Sequence, residues 1–253
     1  MKKTLLPLIL ISTFFLQCEK SADSSFSSAS AAAQTTGQGG SLARFAIAGN
    51  YLYSVDEQQL KVFDIADAAN PTLKQTVNIG FAIETIFPFK DKLFIGSTSQ
   101  VYIYSITDPA NPQRLGVAIS PQVLRRCDPV VAKDTVAFAT LRTNGPCGGM
   151  QSILAVYDVK DVTMPVQKAT YPIGEPYGLG YSGDVLYVCD RFAGLTLLDI
   201  SKPYQPTLIK SIKDGTYIDV IPYQNTLICW VTNGMILYDI TNNRNPVLLG
   251  KIN

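Results

Sequence analysis

From residue 42 onward, apolar and polar positions alternate in short runs bounded by turn-forming residues. The first unit shows the pattern: residues 44–48, 51–55, 60–65 and 73–79 read as strands. They are separated by Gly49-Asn50, by Asp56-Glu57-Gln58 and by Ala68-Ala69-Asn70-Pro71. A period of two with Gly, Asn, Asp and Pro at the breaks is the mark of half-buried β-strands. No apolar rhythm of 3.6 residues appears, which excludes a helical solenoid.

One phrase recurs five times. It is Val62-Phe63-Asp64-Ile65 closing on Pro71, Ile103-Tyr104-Ser105-Ile106 closing on Pro112, and Val156-Tyr157-Asp158-Val159 closing on Pro165. Leu197-Leu198-Asp199-Ile200 closes on Pro206, and Leu237-Tyr238-Asp239-Ile240 on Pro246. The closing prolines stand 41, 53, 41 and 40 residues apart. Four short antiparallel strands per unit of about 41 residues describe a propeller blade, so the expected fold is all-β, a five-bladed β-propeller over residues 42–253. The phrase resembles the LVIVD repeat family of β-propellers, most closely at Gly194-Leu195-Thr196-Leu197-Leu198-Asp199-Ile200-Ser201 with Pro203 and Pro206 after it. The resemblance implies an architecture and no particular activity. Each unit owns four strands, so the ring can close by packing the first blade on the fifth without a shared blade; the sequence leaves the mode of closure open.

A residue that recurs once per blade serves the blade. Asp64, Asp158, Asp199 and Asp239, with Ser105 in the fifth place, end the third strand of their units. A short oxygen-bearing side chain there accepts backbone N–H bonds from the turn ahead, so these five are expected as structural turn residues. The prolines pre-set φ where the chain enters the fourth strand.

The third unit is irregular. About 12 extra residues fall between its second and third strands, around 142–152, and include Gly145-Pro146-Cys147-Gly148-Gly149. Propeller topology puts that connection on the same face as the link carrying Arg125-Arg126-Cys127-Asp128. A Cys127–Cys147 disulfide is therefore expected if the compartment is oxidising. Cys189 and Cys229 lie inside second strands and read as small buried hydrophobes.

The amino terminus has another character. Lys2 and Lys3 precede an apolar run of roughly 14 residues, too short for a span of about 20. The run ends at Phe15-Leu16-Gln17-Cys18. Residues 1–17 read as a signal peptide of lipoprotein type, and Cys18 as the lipidation site. Phe15 and Gln17 depart from the usual lipobox, and relaxed boxes of this kind resemble those of spirochaetes. The alternative is an ordinary signal peptide with an incidental Cys. Residues 18–41, rich in Ser, Ala and Gly, read as a flexible tether. The expected location is the cell envelope, anchored to the outer or inner membrane by lipid alone.

Composition then narrows the function. Net charge is +1, which gives no pull toward nucleic acid. The chain has no His, which removes Ser-His-Asp and Cys-His chemistry and the commonest zinc ligand. No metal site, cofactor or nucleotide-binding motif is expected, and no catalytic residue is assigned. Function is expected where the repeat is broken, on the insertion face. Arg125, Arg126, Arg142, Tyr177, Arg191, Tyr217 and Trp230 are its candidate binding residues, with Phe81 and Phe192 nearby. Arg, Tyr and Trp are common anchors of interfaces; the alternative for Trp230 is closure of the central channel. The chain reads as a binding or scaffolding module for an envelope protein or glycan. The alternatives are a surface adhesin, or a carboxylate-based glycosidase drawing on Asp128, Glu175 or Asp190.

Overall fold

The computed structural model describes residues 39–120, 127–142 and 151–252, with the side chains of Cys127 and Asp128 excepted. All described residues belong to one compact unit, which runs within Gln34–Asn253. The signal peptide, Cys18 and most of the tether lie outside the described residues.

This unit is a five-bladed β-propeller, five four-stranded antiparallel sheets in simple up-and-down order. Blade one holds β1 (Phe45–Ala48), β2 (Tyr51–Val55), β3 (Gln59–Asp64) and β4 (Thr72–Asn78). Blade two holds β5 (Ile83–Phe89), β6 (Lys92–Ser97), β7 (Gln100–Ser105) and β8 (Gln113–Ile119). Blade three holds β9 (Cys127–Lys133), β10 (Val136–Leu141), β11 (Ile153–Asp158) and β12 (Val166–Pro172). Blade four holds β13 (Pro176–Ser182), β14 (Val185–Asp190), β15 (Gly194–Asp199) and β16 (Thr207–Ile212). Blade five holds β17 (Tyr217–Tyr223), β18 (Thr226–Val231), β19 (Gly234–Asp239) and β20 (Val247–Ile252).

The recurrent phrase has a local cause in every blade. Ala66, Thr107, Lys160, Ser201 and Thr241 each donate a backbone N–H to the side chain two residues earlier. The acceptors are Asp64, Ser105, Asp158, Asp199 and Asp239, at 2.8–3.2 Å. Such a bond ends the third strand and starts the turn. The closing prolines stand immediately before β4, β8, β12, β16 and β20. Their missing N–H falls where the ladder has not yet begun.

First strands of successive blades touch one another, so they line the axis. Between blades the pleat sends alternate residues to opposite seams. One apolar cluster fills the seam of blades one and two, around Tyr53 and Ile95, and another that of two and three, around Phe94 and Tyr157. A third joins three and four through Phe138 and Leu186, and a fourth joins four and five through Tyr187 and Leu227. Among the described residues no such cluster joins five to one. The closure that the sequence left open is thus not made by an apolar cluster of described residues between the first and fifth blades. Among the described residues no blade is shared between the first and last units, and the fifth seam has no apolar core. On the first blade, Ser54 and Lys61 occupy places filled in blade five by the apolar residues Cys229 and Ile236.

The two ends meet at the axis instead. Ser41 donates its hydroxyl to Asp219 Oδ1 on β17 at 3.1 Å and accepts the N–H of Leu179 on β13 at 2.7 Å. Leu42 N–H donates to Asp219 Oδ2 at 3.2 Å, and Ala43 C=O accepts from Ile86 on β5 at 2.9 Å. Gly40 and Gly178 make room for this clasp. A Cβ on Gly178 would stand 2.0 Å from Asp219 Oδ1, and one on Gly40 would stand 2.1 Å from Oδ2. Residues 39–41, expected as the end of the tether, thus belong to the propeller. Gly40, read as part of a flexible run, is small because the close approach to Asp219 requires it, and Ser41 supplies the hydroxyl.

Candidate functional site

The insertion leaves blade three at Arg142, just past β10. Next to it in space lie the link into β13 and the turn between β14 and β15 in blade four. The Arg142 guanidinium sits over the Tyr177 ring, 4.3 Å from its centroid, within cation–π range. Thr140 donates its hydroxyl to the Tyr177 carbonyl at 3.1 Å, fixing the backbone beneath that ring. Tyr177 OH and Arg191 Nη1 both reach Glu175 Oε1 at 3.4 Å. Glu175 is buried while the Arg191 side chain is more than half exposed, so the ion pair presents its cation outward. The proximity of the Glu175 carboxylate, then of Tyr177, raises the already high pKa of Arg191. Beside it Phe192 projects from the turn, 70% exposed.

That turn is held by Asp190. Its carboxylate accepts four backbone N–H groups, from Gly174, Glu175, Phe192 and Ala193, at 2.9–3.3 Å. A carboxylate so occupied shapes two loops at once and has few lone pairs left for an incoming group. Asp190 is thus a positioning residue for Glu175 and Phe192. Asp128, a second acid considered for hydrolysis, has a side chain outside the described residues.

Of the seven binding residues expected from the sequence, the structure brings three together: Arg142, Tyr177 and Arg191. Arg125 and Arg126 lie outside the described residues, as does Cys147, and with it the expected Cys127–Cys147 disulfide. Tyr217 is removed from the face. It is fully buried, and its hydroxyl bonds Asp214 and, at 2.6 Å, the Tyr238 hydroxyl, which itself lies 2.7 Å from Asp214. Burial, then the Asp214 hydrogen bond, pushes its pKa far above the ordinary phenol value. A tyrosine that opens a strand looks like a rim residue in sequence; only the neighbouring blade's packing shows it is core. Trp230 also leaves the site. It pairs with Asp219 and Met235 and faces the unfilled fifth seam.

Sequence reasoning missed Asp219. Burial raises its pKa to about 6, although Leu42, Val220 and Ser41 all donate to it. Its partners Ser41 and Leu42 lie 178 and 177 residues away in the chain, so no local signal could have revealed the contact. Cys189 and Cys229 are buried free thiols, and burial pushes both well above the ordinary thiol range, which leaves them protonated and unreactive. Among the described residues, no three His, Cys, Asp or Glu side chains converge as a metal site.

Comparison with known proteins supports the architecture. The LVIVD repeat model matches residues 39–79 and 177–214, which fall on blades one and four. No curated protein sequence matches the chain. Solved structures do, at low identity. The computationally designed Ika8 protein aligns with a TM-score of 0.59 and 12% identity over 82% of this chain and 60% of that one. The periplasmic gluconolactonase PpgL of Pseudomonas aeruginosa gives 0.59 and 14% over 81% of this chain and 67% of that one. A nidogen/laminin complex gives 0.54 and 16% over 83% and 75%. The chain thus spans three fifths of the designed protein's length. At these identities the likeness is one of fold.

Proposed function

We propose that this propeller is an exported, lipid-anchored module of the cell envelope that binds a protein or a glycan through the blade-three and blade-four rim. The observation that carries the reading is the Arg142–Tyr177–Glu175–Arg191 cluster with Phe192 beside it. Two guanidinium groups and two aromatic rings in one patch suit carboxylate-bearing or sugar surfaces: Arg engages carboxylates bidentately, and rings offer flat apolar faces. They are carried on loops whose backbone is braced by Asp190 and Thr140, which limits the ordering cost of binding. Hydrolysis is less favoured as a reading, because Asp190 is spent on four backbone donors and Glu175 on Tyr177 and Arg191. Anchoring through Cys18 completes the proposal and rests on the sequence alone.

Two experiments test it. Envelope extract is passed over the wild-type protein and over Arg191→Glu and Tyr177→Ala, both altered at accessible atoms. A species retained by wild type and lost from both variants is the expected result; identical retained sets overturn the rim proposal. Palmitate labelling in cells should mark wild type and leave Cys18→Ala unmarked. Equal labelling of the two overturns the anchor.

A further inference from the structure

Four seams of the propeller follow one rule. A blade's second and third strands present one face forward and the other back, and the forward face of each meets the backward face of the next. At the seam of blades four and five, the forward face is Tyr187 and Cys189 on β14 with Leu195 and Leu197 on β15, all fully buried. In blade five the same strand positions hold Ile228, Trp230, Met235 and Leu237, from the cross-strand pairs Ile228–Leu237 and Trp230–Met235. Here Trp230 is 52% and Met235 46% exposed. The backward face of blade one shows Phe45, Ile47, Leu52 and Phe63, with Phe45 59% and Ile47 37% exposed. Among the described residues, two halves of an interface that the chain builds four times internally thus stand without an apolar partner.

We propose that these faces associate between molecules, the forward face of blade five packing on the backward face of blade one in a second copy of this chain. The second copy is the occupant because it carries the complement. Each face continues an interface already established at the neighbouring seam, and the missing half of each is displayed on every other molecule. The axial clasp of Ser41 on Asp219 holds the inner edge and leaves both outer faces in place. Lys61, paired with Asp56 at 3.1 Å, and Ser54 make the backward face more polar than its equivalents, which suits a reversible contact. Two different surfaces meeting head to tail give a heterologous contact, which continues into longer assemblies unless rotation closes it.

The test uses the full chain and two variants, Trp230→Lys and Ile47→Lys. Each places a charge on one face at a position that is already accessible, and circular dichroism checks that both remain folded. Wild type should sediment as concentration-dependent assemblies, with emission from its only Trp shifting to the blue as they form. Each variant alone should be monomeric, since one of the two faces is lost on every copy. Mixed, they should form a one-to-one dimer and nothing larger, because one live face of each kind remains. A wild type that is monomeric at every concentration overturns the proposal. So does an Ile47→Lys variant that still self-associates, which would mean that blade five pairs with itself, and so does a mixture that fails to dimerise.

Discussion

Blades four and five carry the same phrase, the same register and nearly the same length, yet their forward faces have opposite fates. The cross-strand pair Cys189–Leu195 is sealed, and its counterpart Trp230–Met235 is half open to solvent. The difference does not lie in strand formation, since both hairpins hold their ladders to the end. It lies in what stands opposite. Blade four faces Leu227, Cys229 and Ile236, whereas the first blade's corresponding places hold Leu52, Ser54 and Lys61. A repeat protein gains its stability from neighbour contacts, so a blade at an end of the array has half of what an internal blade has. Here the ends are tied at the axis by polar bonds to Asp219, where the internal seams are tied by apolar area.

Substitutions can break this comparison. The largest effect is expected at the filled seam. Tyr187→Ala empties a buried ring position and removes a hydroxyl bond to the Asn243 carbonyl at 2.9 Å, and should cost about 3–5 kcal/mol in urea unfolding. A loss under about 1 kcal/mol would mean that the filled and open seams contribute alike.

The clasp comes next. Because burial raises Asp219 to about 6, the folded state holds a proton there through a range where the unfolded carboxyl has lost it. Its favourable contribution is full below about pH 4 and is lost as pH rises through about 6, a change on the order of 3 kcal/mol. Asp219→Asn is uncharged throughout. The wild-type-minus-variant stability should therefore fall between pH 4 and 7; a flat difference would show that the carboxylate is better solvated than its burial implies. Gly178→Ala tests the same contact sterically, and overpacking against Asp219 should cost about 1–3 kcal/mol.

Smaller effects sharpen the contrast. Asp199→Ala removes the turn bond to Ser201 and the ion pair with Arg244 at 2.8 Å. A modest fall in Tm with the rim's captured species unchanged is expected. The Ser201 hydrogen bonds, then Arg244, lower the Asp199 pKa to about 2, so this contribution is present above the ordinary carboxylate range and fades as pH falls toward 2. Trp230→Ala should be the mildest, within about 0.5 kcal/mol at concentrations where the protein is monomeric. A cost like that of Tyr187→Ala would show that the fifth seam is closed after all.

The rim site was partly legible. Arg142 stood out because it borders the break in the repeat, and the topology of a blade puts Tyr177 and Arg191 on the same face as that break. The burial of Tyr217 and the service of Asp190 to four backbone donors were not legible, because both depend on which loop lies across from them.

The sequence by itself determined the number of blades, the four strands in each, the turns and the prolines that start the outer strands. All of these rest on residues within a few positions of one another, and a local pattern repeated five times reports them without ambiguity. Only the tertiary structure decided which faces find partners. Ser41 and Asp219 meet across most of the chain, and Trp230 differs from Cys189 not in its strand but in its neighbour. Alternation tells which residues share a face of a sheet; what covers that face is set by the curvature of the array and by the chemistry of its far end.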